Sequence, residues 1–150
     1  MPRNTKGTRA EQNLTNLIDE AGWAVMRAPS SGSSTERELP DVLAGNGSKF
    51  VAIEAKRPGD GSVYLTDAEV SALVYFSENF GATPMLGVKF DVKRSDAAWG
   101  NDADPGWRFF DARDDSLHRT PSNNVRIKKE KAYADGQTFA ELFSRAGGPS

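Results

Sequence analysis

The sequence predicts an α/β domain with a central mixed sheet of five strands flanked by helices. Three observations carry that expectation. Apolar residues recur at helical spacing between clear start and stop signals, other segments alternate with period two or run apolar over a few residues, and the two kinds are interleaved along the chain.

Leu14, Leu17, Ile18 and Ala21 mark the first helix, residues 8–21, opened by Thr8 with Glu11 three positions on and closed by Gly22. WAVMRA, residues 23–28, reads as a short strand, and PSSGSSTERE after it as a loop of small polar residues. DVLAGNGSKFVAIEAK reads as a hairpin with GNG at its turn. RPGDGSVY is read as a loop ending at Thr66, where TDAE forms a capping box for a second helix that runs through Val70, Leu73, Val74, Phe76 and Phe80 to Gly81. TPMLGVKF and GWRFFDA supply the last two strands, TFAELFSRA a terminal helix. The whole of 1–150 is expected to be one domain, with residues 1–7 as a flexible arm and 116–137 as a poorly patterned loop.

Composition narrows the chemistry. There is no cysteine and only His118, so thiolate and multi-histidine metal sites are excluded and a histidine triad is not expected. Any metal would be held by carboxylates, which selects hard ions such as Mg²⁺ or Mn²⁺. No apolar run approaches the ~20 residues of a membrane helix and the N-terminus lacks a signal-peptide core, so a soluble cytoplasmic protein is expected. The net charge of −2 carries no basic signature of a nucleic-acid binder, but residues 1–58 hold eight Lys and Arg against seven Asp and Glu while 95–115 is Asp-rich, so a basic face can coexist with an acidic one. The surplus of Asp also hints at a salt-adapted host.

The hairpin carries the chemistry. In FVAIEAK, Val51, Ile53 and Ala55 share one face while Ala52, Glu54 and Lys56 share the other, so Glu54 and Lys56 point the same way about 6–7 Å apart. Asp41 opens the adjacent strand and a hairpin of this length brings it close to Glu54. Two carboxylates together repel unless a divalent cation lies between them, and such a cation with Lys56 beside it is what phosphodiester hydrolysis needs. The plain alternative is a solvated strand face with a surface ion pair.

Pro40-Asp41 followed by Glu54-Ala55-Lys56 resembles the PD-(D/E)xK nuclease signature. Together with KGTRAEQNL, GWAVMRAPSSGS, LPDVLA, VAIEAK and YFSENFGATPMLGVKF, it is similar to the archaeal Holliday junction resolvases over residues 6–90 and on to the strand at 107–110. The resemblance implies a restriction-endonuclease-like fold and a homodimeric, Mg²⁺-dependent endonuclease (Mn²⁺ as substitute) that makes paired nicks in a four-way DNA junction, in recombination and repair near the nucleoid. Position by position it implies Glu11, Asp41 and Glu54 as metal carboxylates, Ser31 as a catalytic serine and Lys56 as transition-state stabiliser. It further implies DNA contacts at Arg27, Arg9 and Lys6, and dimer contacts at Phe76 and Phe80. Leu14 and Ile18, three and seven residues after Glu11, set that carboxylate at the end of the apolar stripe, although it also completes a capping box with Thr8. Ser31 has a flexible linker as its alternative, and Arg27 a strand-end ion pair. Gln12 departs from the Arg usual in the family. A nuclease of this fold acting on a flap or restriction site, and a catalytically silent junction-binding protein, are the competing readings. The basic RIKKEKAY segment could touch the junction's arms, or be simply a solvated surface.

Overall fold

The structure is a computed structural model that describes residues 6–28, 38–91 and 104–144. Ser31 lies outside them, and the side chain of Lys6 is not described.

Helix α1 (Lys6–Glu20) leads into β1 (Ala24–Arg27), β2 (Val42–Gly45) and β3 (Phe50–Lys56). Thr8 is inside α1 rather than at its cap, so the expected capping box with Glu11 does not open this helix and Glu11 is left for other contacts. The hairpin turn holds because the side-chain Oδ1 of Asn46 accepts from the backbone amides of Ser48 and Lys49 at 2.9 and 2.7 Å, while Gly47 takes a φ of 97°. β4 (Ser62–Leu65) and α2 (Asp67–Phe80) cross over to β5 (Thr83–Val88), followed by β6 (Arg108–Asp111), β7 (His118–Arg119), β8 (Val125–Lys128), α3 (Lys129–Asp135), β9 (Gln137–Thr138) and α4 (Phe139–Leu142). The α2 cap is as expected. The Thr66 hydroxyl accepts from the Glu69 amide at 3.0 Å, Glu69 Oε1 accepts from the Thr66 amide at 2.9 Å, and Gly81 closes the helix at φ 90°.

The five expected strands lie in one mixed sheet, extended by β9 to six, in the order β1-β2-β3-β5-β6-β9. β3 and β5 are parallel and all other neighbours antiparallel. Two expectations need correction. Residues 62–65, assigned to a loop, form β4, and the 116–137 stretch holds β7, β8 and α3. β4, β8 and β7 make a second, three-stranded sheet. Its strands are two to four residues long, too short to display a period, and β4 pairs with a partner some sixty positions away.

The large sheet separates two cores. Leu14 and Ile18 of α1, Trp23, Val51, Ile53, Trp107 and Phe143 fill one side. Val70 and Leu73 of α2, Val63 and Leu65 of β4, Val125 and Ile127 of β8, and Ala52 fill the other. β3 is therefore buried on both faces until Glu54, the first residue of the strand interior that reaches solvent.

Candidate active site

The site forms where β3 emerges from the two cores. Val42 pairs with Ile53 and Leu43 with Ala52, a register that sets Asp41 opposite Glu54. A Cβ separation of ~5 Å follows for such a cross-strand pair. Asp41 is fixed further: its Oδ2 accepts from the Ala55 amide at 2.9 Å and its carbonyl accepts from Ala28 N at 3.0 Å.

A hydrogen bond between the carboxyls of Asp41 and Glu54 lowers the pKa of Asp41 and raises that of Glu54, which favours Glu54 as the protonated partner. Burial pushes the Glu54 carboxyl up to about 8, and the negative charge of Asp41 adds to the effect. Asp41 is raised too, by burial, against the Ala55 amide and Lys56, which pull it down. Glu11 of α1 is raised by burial and by the charge of Asp41, and its Oε1 lies 3.8 Å from Arg27 Nε. Arg27 Nε has no hydrogen-bond partner among the described residues.

Lys56 lies two residues past Glu54 on the same face, its Nζ 3.8 Å from Glu54 Oε2. It donates a hydrogen bond at 3.0 Å to Glu69 Oε2, on the first turn of α2. Burial opposes the charge on Lys56, but the Glu69 bond and the carboxylates of Glu54 and Asp41 hold its pKa above the ordinary value. Burial likewise opposes the Glu69 charge, which the Thr66 amide and Lys56 nonetheless keep ionised to lower pH than usual.

Asp41, Glu54 and Lys56 thus come together as the hairpin implied, and Glu11 with Arg27 stands beside them. Arg9 is exposed on α1. Among the described residues no three acidic or histidine side chains stand close enough together to hold a metal ion. The converging donor set is the Asp41–Glu54 pair. Its chemistry fits a hard divalent cation, because oxygen donors that repel one another in a desolvated place force a proton onto one of them unless a cation replaces it. Glu69 is the residue missed by sequence reading. The TDAE pattern explained it completely as a cap, and nothing in a chain separation of thirteen residues signals its bond to Lys56.

Comparison with known proteins places the chain in a family. The family model described as "Archaeal holliday junction resolvase (hjc)" matches residues 2–147. The chain is 36% identical over 141 residues to the crossover junction endodeoxyribonuclease Hjc of Archaeoglobus fulgidus, covering 94% of this chain and 91% of that one. It is 32% identical over 145 residues to the Sulfolobus acidocaldarius enzyme of the same name, covering 95% and 89%. The solved structure of Archaeoglobus fulgidus Hjc, titled a Holliday junction resolvase from an archaeal hyperthermophile, superposes with a TM-score of 0.72 at 32% identity, over 93% of this chain and 96% of that one. The mixed sheet with Asp41, Glu54 and Lys56 at its open end and the length of these matches agree: the chain belongs to the archaeal Holliday junction resolvase family.

Proposed function

We propose that the protein is a crossover junction endodeoxyribonuclease that makes paired nicks in opposed strands of a four-way DNA junction, in recombination and repair, acting at chromosomal DNA in the cytoplasm as a single domain over 1–150. The observation that carries this reading is the register of β2 on β3 in a chain of the resolvase family: Asp41 faces Glu54, with Lys56 next on the same face and held by Glu69.

The proposed ion is Mg²⁺, with Mn²⁺ as substitute, held by Asp41 and Glu54; Glu11 is proposed as the third carboxylate and would have to approach the pair to join them. When bound, such an ion supplies a Lewis acid on the phosphate and lowers the pKa of a coordinated water. As a ligand Glu54 would be ionised, its proton released to solvent, a state that its raised pKa disfavours in the absence of a cation. Lys56 places a cation against charge developing on the scissile phosphate, and Glu69 holds that ammonium in one position, so little side-chain freedom is lost at the reacting step. Ser31 is proposed to hydrogen-bond the phosphate or its attacking water, and Arg27, Arg9 and Lys6 to contact phosphates that set the register of the DNA.

A homodimer is proposed because two symmetric strands require two sites related by a two-fold axis. Support comes from an apolar groove of about 300 Å³ lined by Val25, Met26, Leu43, Phe50 and Phe80. Phe80 is half exposed, stacks on Phe76 at 5.6 Å and meets Phe50 edge-on at 6.4 Å.

Incubating the protein and Mg²⁺ with a four-way junction, a linear duplex and a flap of shared sequence tests the reading. Paired nicks confined to the junction support it. Equal cutting of all three discards junction selectivity, and junction binding with no cutting leaves a binding protein in place of an enzyme.

A further inference from the structure

The smaller sheet has two unlike faces. Val63, Leu65, Val125 and Ile127 point inward and are no more than 8% exposed. Alternation therefore turns Ser62, Tyr64, Arg126 and Lys128 outward. Arg126 pairs with Tyr64 on one side and with His118 on the other, and Ser62 pairs with Lys128. A phenol, a guanidinium and an imidazole thus stand in one row, neighbours about 5 Å apart at Cβ. Lys128 follows Arg126 on the same strand face, about 6–7 Å further on.

Cations that neighbour this face are paired, and those on it are not. Lys129, Arg119 and Lys131 each have an acidic partner, in Asp60, Asp67 and Asp135. Among the described residues, the side chains of Arg126, Lys128 and His118 make no ion pair and no hydrogen bond, and Arg126 Nε is buried without a partner. The five outward residues include no acid, in a chain whose net charge is −2. The cations are therefore a local feature rather than a reflection of composition.

The face is also tied to the catalytic end of β3. β4 ends one residue before Thr66, whose capping partner Glu69 holds Lys56. The β7–β8 turn grips the same helix start: Arg119 lies 3.5 Å from Asp67, the side-chain Nδ2 of Asn123 donates to Asp67 Oδ1 at 3.0 Å, and the backbone amide of Asp67 donates to Asn124 Oδ1 at 3.1 Å.

We infer that the outer face of β4, β8 and β7 is a second DNA-backbone surface, which takes the phosphates of one duplex arm of the branched substrate beyond the cleavage site. This rests on the reading of the site as a junction nuclease. Arg126 and Lys128 supply charge to phosphates, and His118 and Tyr64 hydrogen-bond donors beside them, contacts that are independent of sequence.

The test compares wild type with Arg126→Ala/Lys128→Ala and with the charge-retaining Arg126→Lys, measuring affinity for a four-way junction and for a linear duplex across a salt series in EDTA. Single-turnover cleavage with Mg²⁺ at saturating protein, and a thermal melt, are measured alongside. Loss of two phosphate contacts lowers the slope of log affinity against log salt by about 2. Binding at low salt weakens about 10- to 100-fold, by the same factor for junction and duplex, while the saturated cleavage rate and the melt stay unchanged and Arg126→Lys retains the wild-type slope. If truncation unfolds the small sheet, Arg126→Gln/Lys128→Gln keeps its polar outer face and must show the same lowered slope. An unchanged slope in a variant of a protein that cuts junctions would overturn the inference and leave a solvated surface. A loss confined to the junction would also overturn it, by placing the face at the crossover instead of an arm. Wild type that neither binds nor cuts junctions would remove the nuclease reading first, before any variant is compared.

Discussion

Replacing Glu54 by Gln should stabilise the cation-free protein at high pH. Burial and Asp41 raise the Glu54 carboxyl from 4.5 to about 8. A carboxyl whose pKa is higher folded than unfolded contributes stability that is fully present below 4.5 and is lost as pH rises through about 8. That interval corresponds to at most about 5 kcal/mol. The 16% exposure of the side chain lets solvent screen part of it, so about 2–3 kcal/mol is the working figure. Glutamine preserves the shape and a donor toward Asp41 but never ionises. In EDTA, the melting temperature of Glu54→Gln should match wild type or fall slightly below it at pH 5, and exceed it by about 5–10 °C near pH 9, at ~2–4 °C per kcal/mol for a chain of this size. Adding Mg²⁺ should then close most of that gap at pH 9, since a ligand at a hundred times its Kd stabilises by ~2.7 kcal/mol and the variant lacks one of the proposed ligands. The assay is differential scanning fluorimetry across pH. A difference between the two proteins that stays constant from pH 5 to 9 would refute the assignment of a buried, cation-seeking acidic pair.

Three further outcomes follow from the same geometry. Glu69→Gln retains an acceptor for the Thr66 amide but removes the charge that helps keep the Lys56 pKa raised; the pH–rate profile should lose its alkaline limb at lower pH, with a stability change within about 1 kcal/mol. Thr66→Ala deletes the acceptor for the Glu69 amide and should cost about 1 kcal/mol in urea unfolding, with a fall in cleavage rate because the same turn holds Lys56. Phe80→Glu should convert the proposed dimer to monomer in sedimentation equilibrium and abolish pairing of the nicks, while the melt of the monomer shifts little because Phe80 is half exposed.

Legibility tracked the length and regularity of each element. The seven residues of FVAIEAK are long enough to be read as a strand, whose period of two settles which side chains share a face, and the structure places Val51 and Ile53 in one core and Ala52 in the other. The α2 start was legible because a capping box is a local chemical pattern. The first helix was less so. Thr8 and Glu11 match that pattern, but the helix begins two residues earlier, at Lys6, and Glu11 faces Arg27 instead. β4 and β8 were not read, since SVYL and VRIK lie within polar, Gly- and Asn-containing stretches and pair with one another across α2, β5, β6 and β7. In the site, the Asp41–Glu54 approach was written in the hairpin, a local structure. The Lys56–Glu69 bond joins the end of a strand to the start of a helix across a loop and β4, and exists only once both pack on the same core.

The most direct measurement is cleavage of a synthetic four-way junction by wild type and Glu54→Gln, each with Mg²⁺ and with EDTA, alongside junction binding by both. The expected result is paired nicks by wild type only when Mg²⁺ is present, no nicks by the variant in either condition, and junction affinity retained by the variant. Cleavage by Glu54→Gln at the wild-type rate, or wild-type cleavage undiminished in EDTA, would contradict the assignment of Asp41 and Glu54 as the hydrolytic centre.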